Sequence, residues 1–249
     1  MEDFYSIILL FVLGAVAGFI NVMAGGGSSI TLPALIFLGL DPNVANGTNR
    51  IALIFQNLSA AVSFKREDVS QLKISILLAF LTLPGAIIGA VIATNISNYL
   101  FKQILGIVMI AVVITMVLPK KVKEEYKSKV TKIPWTIYPV MFFIGFYGGF
   151  IQLGVGFLLM AALHYILKVN LVFVNMHKVI IVLVYTIPAL FIFILNRQVN
   201  WEWGLSLAIG NSIGAWWSAK LSVKKGEKII RIVLIFAIII MSFKLLNIF

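Results

Sequence analysis

NVMAGGGSSITLP, residues 21–33, sits inside sequence that otherwise reads as membrane-spanning helix. Three consecutive glycines, two serines and a proline are poor material for a helix interior, and a plain membrane anchor has no use for them. The stretch marks a place where a helix breaks and where something comes close to the backbone.

The sequence around it sets the class. Of 249 residues, 61% are hydrophobic and 12% charged, and the mean hydropathy is +1.06. A soluble domain of this length cannot bury so much apolar surface. The expected class is an all-α polytopic membrane protein of the cell membrane. The acidic start MED lacks a basic n-region and no A-x-A site follows, so no cleavable signal peptide is expected. With no cysteine, disulfides, thiolate catalysis and Cys-ligated metal are excluded. The net charge of +11 points to basic cytoplasmic loops rather than to nucleic acid.

Apolar segments fall at 4–24, 28–40, 50–64, 74–94 and 103–118, here a to e. The basic linker PKKVKEEYKSKVTKIP covers 119–134, and segments a′ to e′ follow at 135–153, 156–168, 178–195, 204–219 and 229–246. The halves resemble each other in order. GFIN (18–21) matches GFIQ (149–152), AGGGSS (24–29) matches LGVGFL (153–158), and VANGTN (44–49) lines up with FVNMHK (173–178). GAIIGA (85–90) matches GNSIGA (210–215). The organisation expected is a first transmembrane repeat (1–118), a cytoplasmic linker (119–134) and a second repeat (135–249).

Charge orients the repeats. If every segment turns back, Lys65, Arg66, Lys73, the six linker lysines, Lys168, Lys178, Lys220, Lys224, Lys225, Lys228 and Arg231 share one side. That side holds 16 basic residues against four on the other: Arg50, Lys102, Arg197 and Lys244. If b and b′ only dip into the membrane, the division becomes 11 to 9. The positive-inside rule selects two inverted five-segment repeats with both termini outside.

Segment b, 13 residues long, gives roughly 20 Å of helix against a hydrocarbon core of about 30 Å. It cannot cross alone, so b and its counterpart b′ read as short broken helices. Segment c is also short and draws Arg50 below the surface. Exposed backbone at that depth survives only against protein or a water-filled cavity. Ser28 and Ser29 are expected N-caps for the helix that follows, with Pro33 in its first turn. A helix N-terminus aimed inward is an anion site, built from Gly25, Gly26, Gly27, Ser28 and Ser29. Gly154 and Gly156 offer the counterpart in the second half. Paired broken segments of this kind point to a transporter's binding site. Close helix packing is the competing explanation for AGGGSS, and it is the preferred one for GAIIGA and GNSIGA.

All nine acidic residues lie in termini, loops or segment ends, which argues against a cation pathway or a carboxylate proton relay. The intramembrane charges are basic. Arg50 opens c, and His177 and Lys178 open c′, each suited to an oxyanion beside a helix N-terminus. Snorkelling to the interface is the alternative for Arg50 and Lys178. Asn21 and Gln152 occupy equivalent positions before the glycine turns, and Thr48 and Asn49 add neutral hydrogen bonds. Gln56, Asn57 and Asn211 are weaker entries. His164 reads as a core residue, and Trp216–Trp217 as an interfacial or packing feature.

These motifs resemble the TauE/SafE family of membrane permeases. The likeness is carried by AGGGSSITLPAL and ANGTN in the first half, and by GFYGGFIQLGVGFLLMAAL, NMHKVIIVLVYT and GNSIGAWWSAKL in the second. It covers almost the whole chain. The resemblance implies transport of sulfur-containing anions such as sulfite, sulfonates or sulfoacetate, often by export. Phe157 and Leu158 stand where the first half has Ser28 and Ser29, so the first repeat is expected to supply most backbone donors.

The expected function is an alternating-access permease for a small anion, a sulfur oxyanion or organosulfonate, with no cofactor and no enzyme activity. Proton coupling would rest on His177 or on protonation of the anion itself. The alternatives are a membrane-embedded non-transport subunit and an enzyme with an unidentified cofactor. The enzyme has no visible chemistry, since paired carboxylates and His-rich metal spacings are missing from the sequence, and a non-transport subunit gives the duplication and the buried cations no purpose.

Overall fold

Every long apolar run folds as α-helix in the computed structural model, which describes residues 2–117, 130 and 133–245. In chain order the helices are α1 (Glu2–Ala24), α2 (Ser28–Phe37), α3 (Pro42–Arg66), α4 (Leu72–Asn95), α5 (Asn98–Val117), α6 (Ile137–Phe150), α7 (Val155–Leu167), α8 (Leu171–Leu195) and α9 (Trp201–Leu245). Gly226 interrupts α9 with φ 66° and ψ −160°, between the two runs that the sequence separates at 204–219 and 229–246. Most of the basic linker lies outside the described residues. α1, α4 and α8 are long and apolar enough to cross a membrane, while α2, α6 and α7 are short apolar helices. The chain is an all-α polytopic membrane protein.

Two helices begin well before their apolar runs. α3 starts at Pro42, whose fixed φ suits the first helical position, behind Asp41. α8 starts at Leu171 behind Asn170, whose side chain accepts from the Phe173 amide at 3.0 Å. The expectation that Arg50 opens c and that His177 and Lys178 open c′ is therefore corrected. All three lie about two turns inside helices of 25 residues. The polar stretch before Arg50 is buried helix rather than loop: Ala45, Asn46, Gly47, Thr48 and Asn49 are all covered.

Glycines decide how the helices pair. Side chains added at Gly14 or Gly18 of α1 would strike the backbone of Leu207 and Asn211 on α9, and at Gly210 or Gly214 that of Phe11 and Ala15. α4 and α6 repeat the arrangement. Gly85 and Gly89 press on Phe142 and Phe146, while Gly145 and Gly149 press on Thr82 and Ala86. The packing reading of GAIIGA and GNSIGA holds, because only small residues let helix backbones approach this closely. The first helix of each half thus lies on the fourth helix of the other.

Polar contacts set direction at the α3–α9 seam. The Thr48 hydroxyl accepts from the Asn200 amide at 2.9 Å, Asn211 Nδ2 donates to Gln56 Oε1 at 3.2 Å, and Ser63 Oγ donates to the Trp216 carbonyl at 3.1 Å. The partners ascend together, so α3 and the first part of α9 are parallel.

Candidate functional site

α1 is stopped by Gly25, which takes φ +93° and donates its amide to the Asn21 carbonyl at 2.8 Å. This is a left-handed helix stop, where L side chains are resisted. α6 stops at Gln152, with φ 57° and its amide on the Tyr147 carbonyl at 3.2 Å. Gly154, at φ 67°, then leads into α7. The proposed equivalence of Asn21 and Gln152 does not survive in detail: Asn21 is inside its helix and Gln152 is beyond the end of its own.

The two turns meet. A Cβ on Gly25 would run into the backbone of Gly156, and one on Gly156 into Gly25. Gly26 faces the Phe157 ring, and Gly27 lies against the Ala17 carbonyl and the Asn21 side chain. Backbone closeness at these glycines is therefore between the two turns and their neighbours in this conformation, as the packing explanation supposes. Ser28 and Ser29 do not cap α2. Gly27 holds the N-cap position without a side-chain cap, and Asn21 Oδ1 accepts from the Gly27 amide at 3.3 Å. That bond lets the preceding helix supply the cap. Pro33 is likewise in the second turn of α2, not the first.

The buried cations face helix C-termini rather than N-termini, which corrects the sequence expectation. Arg50 donates from Nη2 to the Gly149 carbonyl at 2.5 Å and from Nη1 to the Gly148 carbonyl at 3.3 Å. Asn46 Nδ2 takes the Phe150 carbonyl at 2.7 Å, and the Phe193 ring lies 4.6 Å from the guanidinium carbon. Lys178 Nζ donates to the carbonyls of Asn21 (3.0 Å) and Val22 (2.8 Å) and to Asn175 Oδ1 (2.8 Å). Asn175 Nδ2 takes the Met23 carbonyl at 3.2 Å. A broken helix leaves its last carbonyls unpaired, with the negative end of the dipole behind them. In a water-poor interior those carbonyls need donors. Each half's third helix supplies them to the other half's first helix.

Between the turns lies a small cavity. Asn21 and Ser28 line it from the first turn, Val155 and Gly156 from the second, Leu53 and Asn57 from α3, and Lys178 and Val182 from α8. Its free volume is about 10 Å³, room for about one water molecule. Among the sequence candidates, it gathers Asn21, Ser28, Gly156 and Lys178.

The others are placed elsewhere. Arg50 is fully buried in its carbonyl cradle. Thr48 is engaged with Asn200, and Asn49 Oδ1 accepts from the Thr31 hydroxyl at 2.8 Å while its Nδ2 has no partner among the described residues. Ser29 Oγ and Gln152 Oε1 are similarly unpartnered, although Gln152 Nε2 donates to the Asn46 carbonyl at 3.2 Å. His177 Nδ1 pairs with Ser75 Oγ of α4 at 2.7 Å, and His164 Nδ1 with the Val169 carbonyl at 2.8 Å.

Leu53 and Val182 were not singled out, and Asn57 was only a weak candidate. Counting from the matched pair Asn46 and Asn175 finds the first two, since each is seven residues on. Among the described residues, no Asp or Glu is buried, and no group of three His, Asp or Glu could hold a metal ion.

The family model described as "Sulfite exporter TauE/SafE" matches residues 10–245. A "Probable membrane transporter protein ORF9" of Sinorhizobium sp is 30% identical, over 99% of this chain and 95% of that protein. The "Probable membrane transporter protein YfcA" of Escherichia coli K12 is 29% identical, over 99% of this chain and 94% of its own. The "Probable membrane transporter protein YunE" of Bacillus subtilis is 26% identical over 92% and 95%. No solved structure matches at a significant level.

Proposed function

The chain belongs to the sulfite exporter TauE/SafE family, and we propose that it carries a small anion, a sulfur oxyanion or organosulfonate such as sulfite, by alternating access. It is a membrane transporter and not an enzyme. The observation that carries the anion reading is the sign of the interior. Arg50 and Lys178 are buried without any buried carboxylate among the described residues, and Lys178 lines the central cavity. An anion entering there meets an ammonium that has carbonyl and amide oxygens but no carboxylate for partners, with Ser28 and Asn57 also lining the cavity.

The cavity, at about 10 Å³, is too small for a sulfur oxyanion, so binding one requires its lining to move apart. Substrate entry requires the halves to separate around the meeting point of the two turns. Two inverted repeats, 1–118 and 135–249, joined by a cytoplasmic linker in the cytoplasmic membrane, provide that motion. The parallel run of α3 and α9 supports inversion, because helices that merely dipped at b would make those two antiparallel. The exchanged pairing of α1 with α9 and α4 with α6 is compatible with it. Proton coupling, in this reading, uses His177 from outside the cavity through its contact with Ser75.

The test is reconstitution in liposomes with currents recorded on a solid-supported membrane. The panel is sulfite, thiosulfate, sulfate, sulfoacetate, taurine and chloride. Currents for one sulfur anion, abolished by Lys178→Met, are expected. A Lys178→Met protein that still gives wild-type currents would remove the cavity from the mechanism. Retention of pH-driven transport in His177→Gln would remove His177 from the coupling.

A further inference from the structure

The seam between α3 and α9 carries a second set of cations that the transport reading does not use. The guanidinium carbon of Arg66 lies 5.0 Å from the Trp216 ring, and Lys220 Nζ lies 5.7 Å from the Trp217 ring. Arg66 is exposed and Lys220 half-buried. Neither is paired with a carboxylate among the described residues. An indole beneath a guanidinium orders it while leaving its N–H edge free. Such an edge matches the two oxygens of a phosphate.

Below each cation runs an apolar stripe. On α3 it is Phe55, Leu58 and Val62, and on α9 it is Ile209, Ile213 and Trp217, all of them 40% exposed or more. The seam itself is closed by Ser59 Oγ on the Ser212 carbonyl (2.8 Å) and Ser63 Oγ on the Trp216 carbonyl. With 100° per residue, the α3 stripe is wound backward from Ser59 and Ser63, and the α9 stripe forward from Ser212 and Trp216. On parallel helices those two windings open on the same side. The result is one shallow apolar groove ending in two Trp-supported cations.

We propose that this groove is a binding site for an anionic phospholipid, its phosphate held by Arg66 and Lys220 and its acyl chains laid along the two stripes. A basic pocket at the head of an apolar face fits a charged headgroup at the membrane surface. The site is separate from the cavity and stands whether or not the substrate is an anion.

The test is native mass spectrometry of the protein released from nanodiscs of equal phosphatidylglycerol and phosphatidylcholine, with Arg66→Gln/Lys220→Gln beside the wild type. Both side chains are at the surface, and size-exclusion elution checks that the variant is folded. The wild type is expected to retain phosphatidylglycerol over phosphatidylcholine by about thirtyfold, as two interfacial cations would give. The double variant is expected to retain one phosphatidylglycerol fewer. Equal retention of the two lipids by the wild type, or an unchanged phosphatidylglycerol count in the variant, would overturn the site. Adding glycerol phosphate at the concentration of the lipid separates lipid from free phosphate. Displacement of the lipid by the soluble headgroup at equal concentration would show a phosphate site without acyl recognition and defeat the proposal.

Discussion

The two broken turns solve one problem with different residues. The α1–α2 turn stops its helix with glycine in the left-handed region, and Lys178 closes the exposed carbonyls. The α6–α7 turn stops with Gln152, a residue that pays a conformational cost there, and Arg50 closes the carbonyls. The difference lies in what surrounds each cation. Arg50 is fully buried and packed against Phe193, whereas Lys178 borders the cavity. One cation is thereby committed to the fold, and the other is placed where it can also act on a ligand.

The largest effect is expected where the turns touch. Gly25→Ala adds a left-handed strain of about 1–2 kcal/mol and drives a methyl into the Gly156 backbone. The variant should fail to elute as a single species in detergent size-exclusion chromatography. A well-folded Gly25→Ala protein would mean that the turns can separate freely at rest.

Next, Arg50→Met leaves the Gly148 and Gly149 carbonyls without their donor. At about 1–3 kcal/mol for each buried unsatisfied group, thermal unfolding in detergent should show a destabilisation of about 3 kcal/mol. Lys178→Met strands the Val22 carbonyl of α1, since the Asn21 carbonyl keeps the Gly25 amide, and a water in the adjoining cavity can reach it. Its cost should be smaller, about 1–2 kcal/mol, while anion currents are lost altogether. If Lys178→Met proves the less stable protein of the two and still transports, the division of roles between the cations is wrong.

The smallest effect is expected from Gln152→Gly. Relief of left-handed strain, about 1 kcal/mol, is offset by loss of the bond to the Asn46 carbonyl, also about 1 kcal/mol. Unfolding should shift by less than about 0.5 kcal/mol. A clear stabilisation would show that the Asn46 bond contributes nothing.

Most of the membrane fold was legible in the chain, because hydropathy and helix length report directly on the solvent each segment meets. GAIIGA and GNSIGA were readable as packing faces for the same reason: a glycine spacing of four marks one side of a helix. The starts of α3 and α8 were not. VANGTN looks like loop by composition, and as helix its polar groups are satisfied by partners from α2, from α6 and from Asn200 just before α9.

The candidate site was legible in its parts but not in its assembly. The sequence located buried cations and broken helices, since charge and glycine at membrane depth are conspicuous. It set Arg50 and Lys178 beside the N-termini nearest in the chain, because sequence shows only local neighbours. Tertiary structure decided that each cation reaches across to the C-terminus of the opposite half's first helix. The physical reason is that an unpaired carbonyl in the membrane interior must find a donor, and the nearest one is fixed by how the halves pack. The chain alone therefore determined the membrane class, the two breaks and the sign of the interior charge. Packing alone decided which cation serves the fold and which one borders the cavity.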